Sequence, residues 1–407
     1  MSRLLLRSAR LFTSREPTGG VIASGALLAE EGRIAVVGEG SELREALRAG
    51  GTGEIEEVDL EGALVTPGLV DAHTHPVYGG HRFAEISARS RGASYSEIAR
   101  SGGGIASSVA ATRAAAPAEL ELGVRSRLEA WLAGGTTTVE AKTGYHLDEA
   151  GELSDVRLLA GLAEPASRSS ERLPAVEVTY LAGHAVGPEW EGDPDGYAAE
   201  VARWSGPAKA AGARHADVFC DAGYFTVDQA RVMLSAARQA GLIPRLHADE
   251  LARSRGAELA AELGCASADH LLCVDDPGIA ALAAAGVAAT LAPVTALAMG
   301  RTPPARALLD AGVTVALGSD HNPGTCGTTS MSLVVALAVA ELGLSVDEAL
   351  VAATAGGARS LRRPDRGRLE PGLRADLVAW PVDHEGAFAW SYGLEPTAVW
   401  VEGTRRV

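Results

Sequence analysis

Between about residue 64 and residue 320, apolar β-branched runs alternate with helical stretches, and this alternation restricts the possible folds more than any other property of the chain. Eight runs read as strands: 64–73, 136–142, 176–182, 216–221, 243–248, 267–271, 288–293 and 314–320. Helical patterns lie between them, such as Pro117 to Ala133, Thr226 to Ala240, Arg255 to Leu263 and Pro277 to Ala285, closed by Gly134, Gly241, Gly264 and Gly286. Strands joined through helices run parallel, because the helix carries the chain back to the end where the next strand starts. Eight such units predict a closed (β/α)8 TIM-like barrel, with catalytic groups at the C-terminal ends of its strands.

The ends of the chain break this rhythm. Leu4 to Phe12, Val21 to Leu28 and Ile34 to Val37 read as short strands split by turns such as Glu31-Gly32. After a helical stretch from Val346 to Leu361 come Asp376 to Trp380 and Ala398 to Val401. Unpaired edges are unfavourable, so the two ends are expected to pair in one small β-sandwich domain. The division expected is residues 1–62 with 366–407 for that domain and 63–365 for the barrel.

A net charge of −16 without a basic patch argues against nucleic acid or an anionic membrane as partner. No run has the eighteen or so apolar residues of a membrane span, and the N-terminus lacks a signal-peptide pattern, so a cytoplasmic enzyme is expected. Cys220, Cys265, Cys273 and Cys326 show no paired spacing, which predicts neither a disulfide framework nor a zinc knuckle.

His73 and His75 end the first predicted strand, just before Pro76 and Gly79-Gly80. In an extended strand residues two apart share a face, so both imidazoles can reach one cation while Thr74 turns away. A lone His-x-His is equally compatible with two ordinary partnered histidines. What favours a metal is the set of distant candidates at other strand ends: His247, His270 and Asp320. Nitrogen and oxygen donors of this kind suit Zn2+ or Fe2+, with a coordination position open for water. Two rare residues stand close by. Asn322 is the only asparagine in the chain, and Lys142, one of two lysines, ends the second strand.

Around these residues the chain resembles the imidazolonepropionases of the amidohydrolase superfamily. The matching stretches are Pro67 to His75, Gly79 to Arg82, Gly92 to Tyr95, Ser101 to Ile105, Thr136 to Tyr145, Gly183 to Val186, His247 to Glu250, Ala268 to His270 and Asp320 to Thr325, with Ala375-Asp376-Leu377 beyond. The resemblance implies hydrolysis of 4-imidazolone-5-propanoate to N-formimidoyl-L-glutamate in histidine degradation, in a homodimer. It implies one Zn2+ or Fe2+ per chain, held by His73, His75, His247 and Asp320. Catalysis would fall to Glu250 as proton shuttle, His270 as oxyanion or water partner, and Asp320 as ligand and proton acceptor. Arg82, Tyr145 and His184 would grip the propionate as donors, and Glu250, Asn322, Gly324 and Thr325 would complete the substrate site. Lys142 is expected to be an unmodified charge paired with Glu140 or Asp148.

Three departures from the family pattern line the expected pocket: His146 in place of a glycine, His321 beside the metal aspartate, and Ala292 to Leu297 after the seventh strand. They leave room for a rival within the superfamily, a heterocycle deaminase or chlorohydrolase. A second rival is an inactive relative that only binds a partner. Neither a deaminase nor a chlorohydrolase needs a carboxylate anchor, so Arg82 separates them from the first reading.

Overall fold

The first barrel strand grows directly out of the small domain. In the computed structural model, which describes residues 3–15, 19–39, 55–93, 97–98, 102–164 and 172–407, the strand expected over 64–73 is two strands parted by Gly68. Leu64–Pro67 pairs antiparallel with Leu377–Trp380 and, at Leu64 and Val65, parallel with Arg10 and Leu11. Leu69–Thr74 pairs with Thr136–Lys142 instead. The switch needs a glycine, since a Cβ at position 68 would lie 2.0 Å from Thr137 Oγ1.

The eight barrel strands, numbered here one to eight, are Leu69–Thr74, Thr136–Lys142, Ala175–Gly183, His215–Cys220, Leu246–Ala248, Ser267–His270, Ala288–Leu291 and Val315–Leu317. Each pairs in parallel with the next. The circle closes through the backbone, Asp320 N donating to His73 O at 2.9 Å and His75 N to His321 O at 2.8 Å. Gly318 permits this approach: a Cβ there would sit 2.7 Å from that of His73. Strand five is shorter than expected, because Ile243–Pro244 and Leu246–Ala248 are separated at Arg245, whose side chain is buried in the lumen.

The helices follow their local signals. Thr226 and Gln229 form a reciprocal capping box at the start of Val227–Gln239, while Gly264 and Gly286 take the left-handed conformation that ends the helices before them. The expected helix from Val346 to Leu361 is broken: Val346–Val351 passes through a π-helical turn, Ala352–Gly356, into Gly357–Ser360.

The chain ends form one continuous eight-stranded sheet, from Arg3–Arg15, Gly19–Glu30, Arg33–Gly38, Ile55–Asp59, Leu64–Pro67, Leu377–Trp380, Ala398–Val401 and Thr404–Arg405. The first strand is irregular at Ser8 (φ 55°), between the residues paired with Ile55–Asp59 and those paired with Leu64 and Val65. One face encloses a core of its own, with Leu6, Leu11, Leu27, Val65, Leu377 and Trp400. From the other, Phe12, Leu64, Val378 and Trp380 join the barrel's core. The fold is therefore the expected (β/α)8 barrel with a small β-domain built from both ends of the chain. Among the described residues, no helix is long and apolar enough to cross a membrane.

Candidate active site and metal centre

The lumen beneath the C-terminal rim is charged. Glu140 and Lys142 of strand two, Asp217 of strand four, Arg245 in the break of strand five and Asp269 of strand six are all buried there. Lys142 Nζ lies 2.9 Å from Glu140 Oε1 and 2.8 Å from Asp217 Oδ2, and Arg245 Nη2 lies 3.1 Å from Asp269 Oδ2. Buried charges persist only when paired in this way. The Glu140 partnership of Lys142 is the expected one; Asp148 instead caps the helix Glu149–Ala163 through Gly151 N. The Lys142 side chain is thus held between the carboxylates of Glu140 and Asp217.

Two of these carboxylates reach up to the histidines. Asp269 Oδ2 accepts from His73 Nδ1 at 2.7 Å, and Asp217 Oδ2 lies 3.0 Å from His247 Nδ1. A carboxylate takes the proton side of an imidazole, so each ring turns a bare Nε2 toward the rim. Despite burial, Arg245 and Lys142 hold Asp269 down at about 2, keeping it ionised. Burial lowers His73 well below its usual range and brings His75 down to about 4, so both are neutral imidazoles. For His247 burial acts in the same direction, but Asp217 more than offsets it and raises its proton affinity.

The bare nitrogens converge. His73 Nε2 and His75 Nε2 stand 3.2 Å apart, and Asp320 Oδ1 is 3.7 Å from the first and 3.4 Å from the second. Ligand atoms of His73, His75 and His247 all lie within 4.8 Å of one another, as do those of His73, His270 and Asp320. His73 turns a lone pair toward His75 Nε2, His75 Nδ1 is buried without a hydrogen-bond partner, and a divalent cation among these rings and Asp320 Oδ1 would be bound by the lone pairs of both imidazoles. The residues present thus fit Zn2+ or Fe2+, with Asp217 and Asp269 as the carboxylates behind the ligands.

Backbone strain sets the remaining groups. Asp249, His270 and Asp320, each at a strand end, have φ of 51°, 73° and 51°, a region costly for residues other than glycine. After strand five, Asp221 accepts from Glu250 N at 2.6 Å, Leu251 N at 2.8 Å and Ala252 N at 3.1 Å, and so fixes the turn that carries Glu250. Burial raises the Glu250 carboxyl, and its Oε1 lies 3.8 Å from His270 Nδ1. Thr295 Oγ1 donates to Asp320 Oδ2 at 2.6 Å and leaves Oδ1 facing the histidines. Thr295 belongs to the helix Pro293–Met299, so the divergent stretch after strand seven supports the site directly.

His75, His247, His270, Asp320 and Glu250 line one chamber together with Arg82, Tyr145, His184, Asn322 and Thr325; Ile105, the end of the stretch from Ser101, lines it too, as do Phe219 and Met299, which the sequence did not single out. His73 stands below its floor, bonded to Asp269. A wider cavity of about 490 Å³ adjoins the chamber through Glu250, Met299 and Thr325 and carries Arg89 and Arg301 on its wall. Ser94, Tyr95 and Ser101, part of the quoted resemblance, lie outside the described residues.

Several of these positions also have contacts within the protein. Gly324 makes room for a neighbour: a Cβ there would fall 1.3 Å from Arg82 Nη2. Asn322 is occupied within its loop, Nδ2 donating to Asp320 O at 2.6 Å and Thr325 Oγ1 at 2.7 Å while Oδ1 accepts from Gly324 N and Thr325 N, both at 2.8 Å. His184 Nδ1 sits 3.0 Å from Gly144 O, which can only accept, and burial keeps the ring neutral. Its Nε2 is therefore an acceptor, suited to a ring N–H rather than to a carboxylate. His321 faces away from the centre, between Thr328 O at Nδ1 and the Tyr78 hydroxyl at Nε2, and is a satisfied core histidine. Asp217, Asp221, Asp269 and Thr295 were missed. The signal for the first three was available, since a carboxylate inside or at the end of an apolar buried strand is rarely idle.

Such a barrel, with a histidine–carboxylate cluster at its rim, defines a metal-dependent amidohydrolase, and the chain belongs to the amidohydrolase family, whose model matches residues 78–405. Within it the chain groups with the imidazolonepropionases. It is 44% identical to the imidazolonepropionase of Anaeromyxobacter sp. strain K over 95% of this chain and 91% of that one. With the imidazolonepropionase of Geobacillus kaustophilus it shares 42% identity, again over 95% and 91%. Among solved structures, 5-methylcytosine deaminase from Klebsiella pneumoniae superposes with a TM-score of 0.74 over 99% of this chain and 97% of that one; at 18% identity this likeness concerns the fold alone.

Proposed function

We propose that the protein hydrolyses 4-imidazolone-5-propanoate to N-formimidoyl-L-glutamate, as the name and identity of its relatives suggest. The observation that carries this reading is the seat of Arg82. Its side chain lines the chamber that also holds His75, His247 and Asp320, and it passes where Gly324 has no side chain. A buried guanidinium there matches a substrate with a carboxylate arm, which a chamber without a cation would bind at a cost of several kcal/mol.

Water adds across the ring amide. A C–O bond forms at the carbonyl carbon, the ring C–N bond breaks, and the nitrogen leaves with a proton as the new carboxylate appears. One Zn2+ or Fe2+ per chain, on His73, His75, His247 and Asp320, would polarise the carbonyl and make the attacking water more acidic. Glu250 takes the water's proton and returns it to the departing nitrogen; its raised pKa suits a group that must hold a proton in mid-reaction. His270 lies beside both Glu250 and the metal cluster, where it can hydrogen-bond the carbonyl oxygen as charge develops. His184 Nε2 accepts from a ring N–H, Tyr145 closes the same wall, and Asn322 and Thr325 shape the loop opposite.

An ultraviolet assay on freshly generated imidazolone propanoate, run beside metal analysis of the purified protein, tests the reading. Loss of substrate absorbance without ammonia release, at one metal per chain, is expected. Ammonia release from a neutral heterocycle would favour a deaminase instead. A cytoplasmic homodimer is the proposed form, and sedimentation velocity tests the dimer.

A further inference from the structure

The loop after strand two, Thr143 to Asp148, carries Tyr145 and supplies the carbonyl that sets the His184 tautomer. Side chains outside it bind the polar backbone groups that shape it. His146 N and Leu147 N both donate to Glu152 Oε1, at 3.0 Å and 2.9 Å. His146 O accepts from Arg113 Nε at 2.7 Å, Leu147 O from the Tyr197 hydroxyl at 3.1 Å, and Gly144 O from His184 Nδ1 at 3.0 Å. Leu147 has a φ of 56°, so the loop holds a conformation that it would not keep unaided. The His146 ring, the departure noted at this position, donates through Nδ1 to Asp155 Oδ2 at 2.7 Å. Glu152 and Asp155 are neighbours on the helix Glu149–Ala163, and Glu152 is completely buried.

We infer that Glu152 is a positioning residue for the hydrolysis: by fixing the 144–147 segment it places Tyr145 and His184 against the substrate. A carboxylate needed only to favour the start of its helix would have no cause to take two amides from the preceding loop. Both amides meet the one oxygen Oε1, so an acceptor at that place is what the loop needs; burial, with Asp155 close by, pushes the Glu152 carboxyl up to about 7. This inference rests on the function proposed above.

The test compares the metal-loaded wild type with Glu152→Ala, Glu152→Asp and Glu152→Gln. Gln keeps an oxygen at the same reach; Asp keeps the charge but withdraws it by one methylene; Ala removes both. Losing the two bonds should raise KM roughly tenfold in the Ala and Asp variants, with metal content and kcat close to wild type, whereas Gln stays within about threefold. Amide hydrogen exchange at residues 144–147 should quicken in Ala and Asp and not in Gln. If the Ala variant does not fold, the Asp variant carries the comparison. A KM within twofold of wild type for Asp, or equal impairment in Gln and Asp, overturns the inference. A wild type that turns over no imidazolone propanoate counts against the proposed function alone, and unchanged exchange in Asp would still show that Glu152 does not hold the loop.

Discussion

Asp269 governs His73 from below. Removing its charge while keeping its shape, in Asp269→Asn, should let the ring rotate or exchange its proton between nitrogens. Metal affinity should then fall roughly 10- to 100-fold in a chelator competition. Glu250→Gln should leave metal content unchanged and lower kcat about 100-fold or more in steady-state turnover, because the variant keeps the size and shape of the side chain and loses the proton transfer. A variant near full speed would remove Glu250 from its role. The two residues also mark where the sequence was readable. His73 and His75 could be paired from the strand period alone, and their distant co-ligands from the rule that strand ends carry the chemistry. Asp217 and Asp269 could not be assigned partners, because a lumen-facing carboxylate meets residues on neighbouring strands that nothing local identifies. The work that Asn322 and Gly324 do inside their own loop was not legible for a similar reason: a loop's internal hydrogen bonds appear only once it is folded.

At the level of elements, the turn after strand five hangs on one side chain. Asp221 binds three successive amides that begin at Glu250, and Asp221→Ala would leave them without that partner, at a cost of about 1–3 kcal/mol. The variant should melt lower and lose kcat together, and calorimetry with turnover measurements on the same sample checks both. Helix boundaries were legible because caps are local: the Thr226–Gln229 box and the glycines at 264 and 286 are visible in the sequence as written. The π-helical turn at Ala352–Gly356 was not, because it answers packing from outside the helix. A Cβ on Gly356 would come within 2.2 Å of Val315 O in strand eight. Strand five was overextended for the same reason, since a buried Arg245 interrupts a run that looks continuous.

For the whole molecule, acidity and metal act on stability in ways the buried groups predict. His321 is held down to about 4, chiefly by burial, against about 6.5 when unfolded. Between those values the unfolded chain binds the extra proton, so this group's stabilisation is complete above pH 6.5 and is lost as the pH falls toward 4. Relative to His321→Gln, the wild type should lose stability over that window by about 1.4 kcal/mol per pH unit, measured by urea unfolding at pH 7.5 and pH 5. A gap that stays constant would mean that the folded ring takes up its proton as readily as the unfolded one. Removing the metal should lower the melting temperature as well as the activity, since an ion at a hundred times its Kd adds about 2.7 kcal/mol to the folded state.

Gly68 alone parts a strand of the small sheet from the strand that ends in His73, so no cut separates the chemistry from the domain beside it. A fragment ending near residue 365 would lose Leu377–Trp380, the antiparallel neighbour of Leu64–Pro67, and slack at Pro67 reaches the metal ligands within a few residues. Engineers seeking a minimal catalyst from this scaffold should shorten its loops and leave both termini in place.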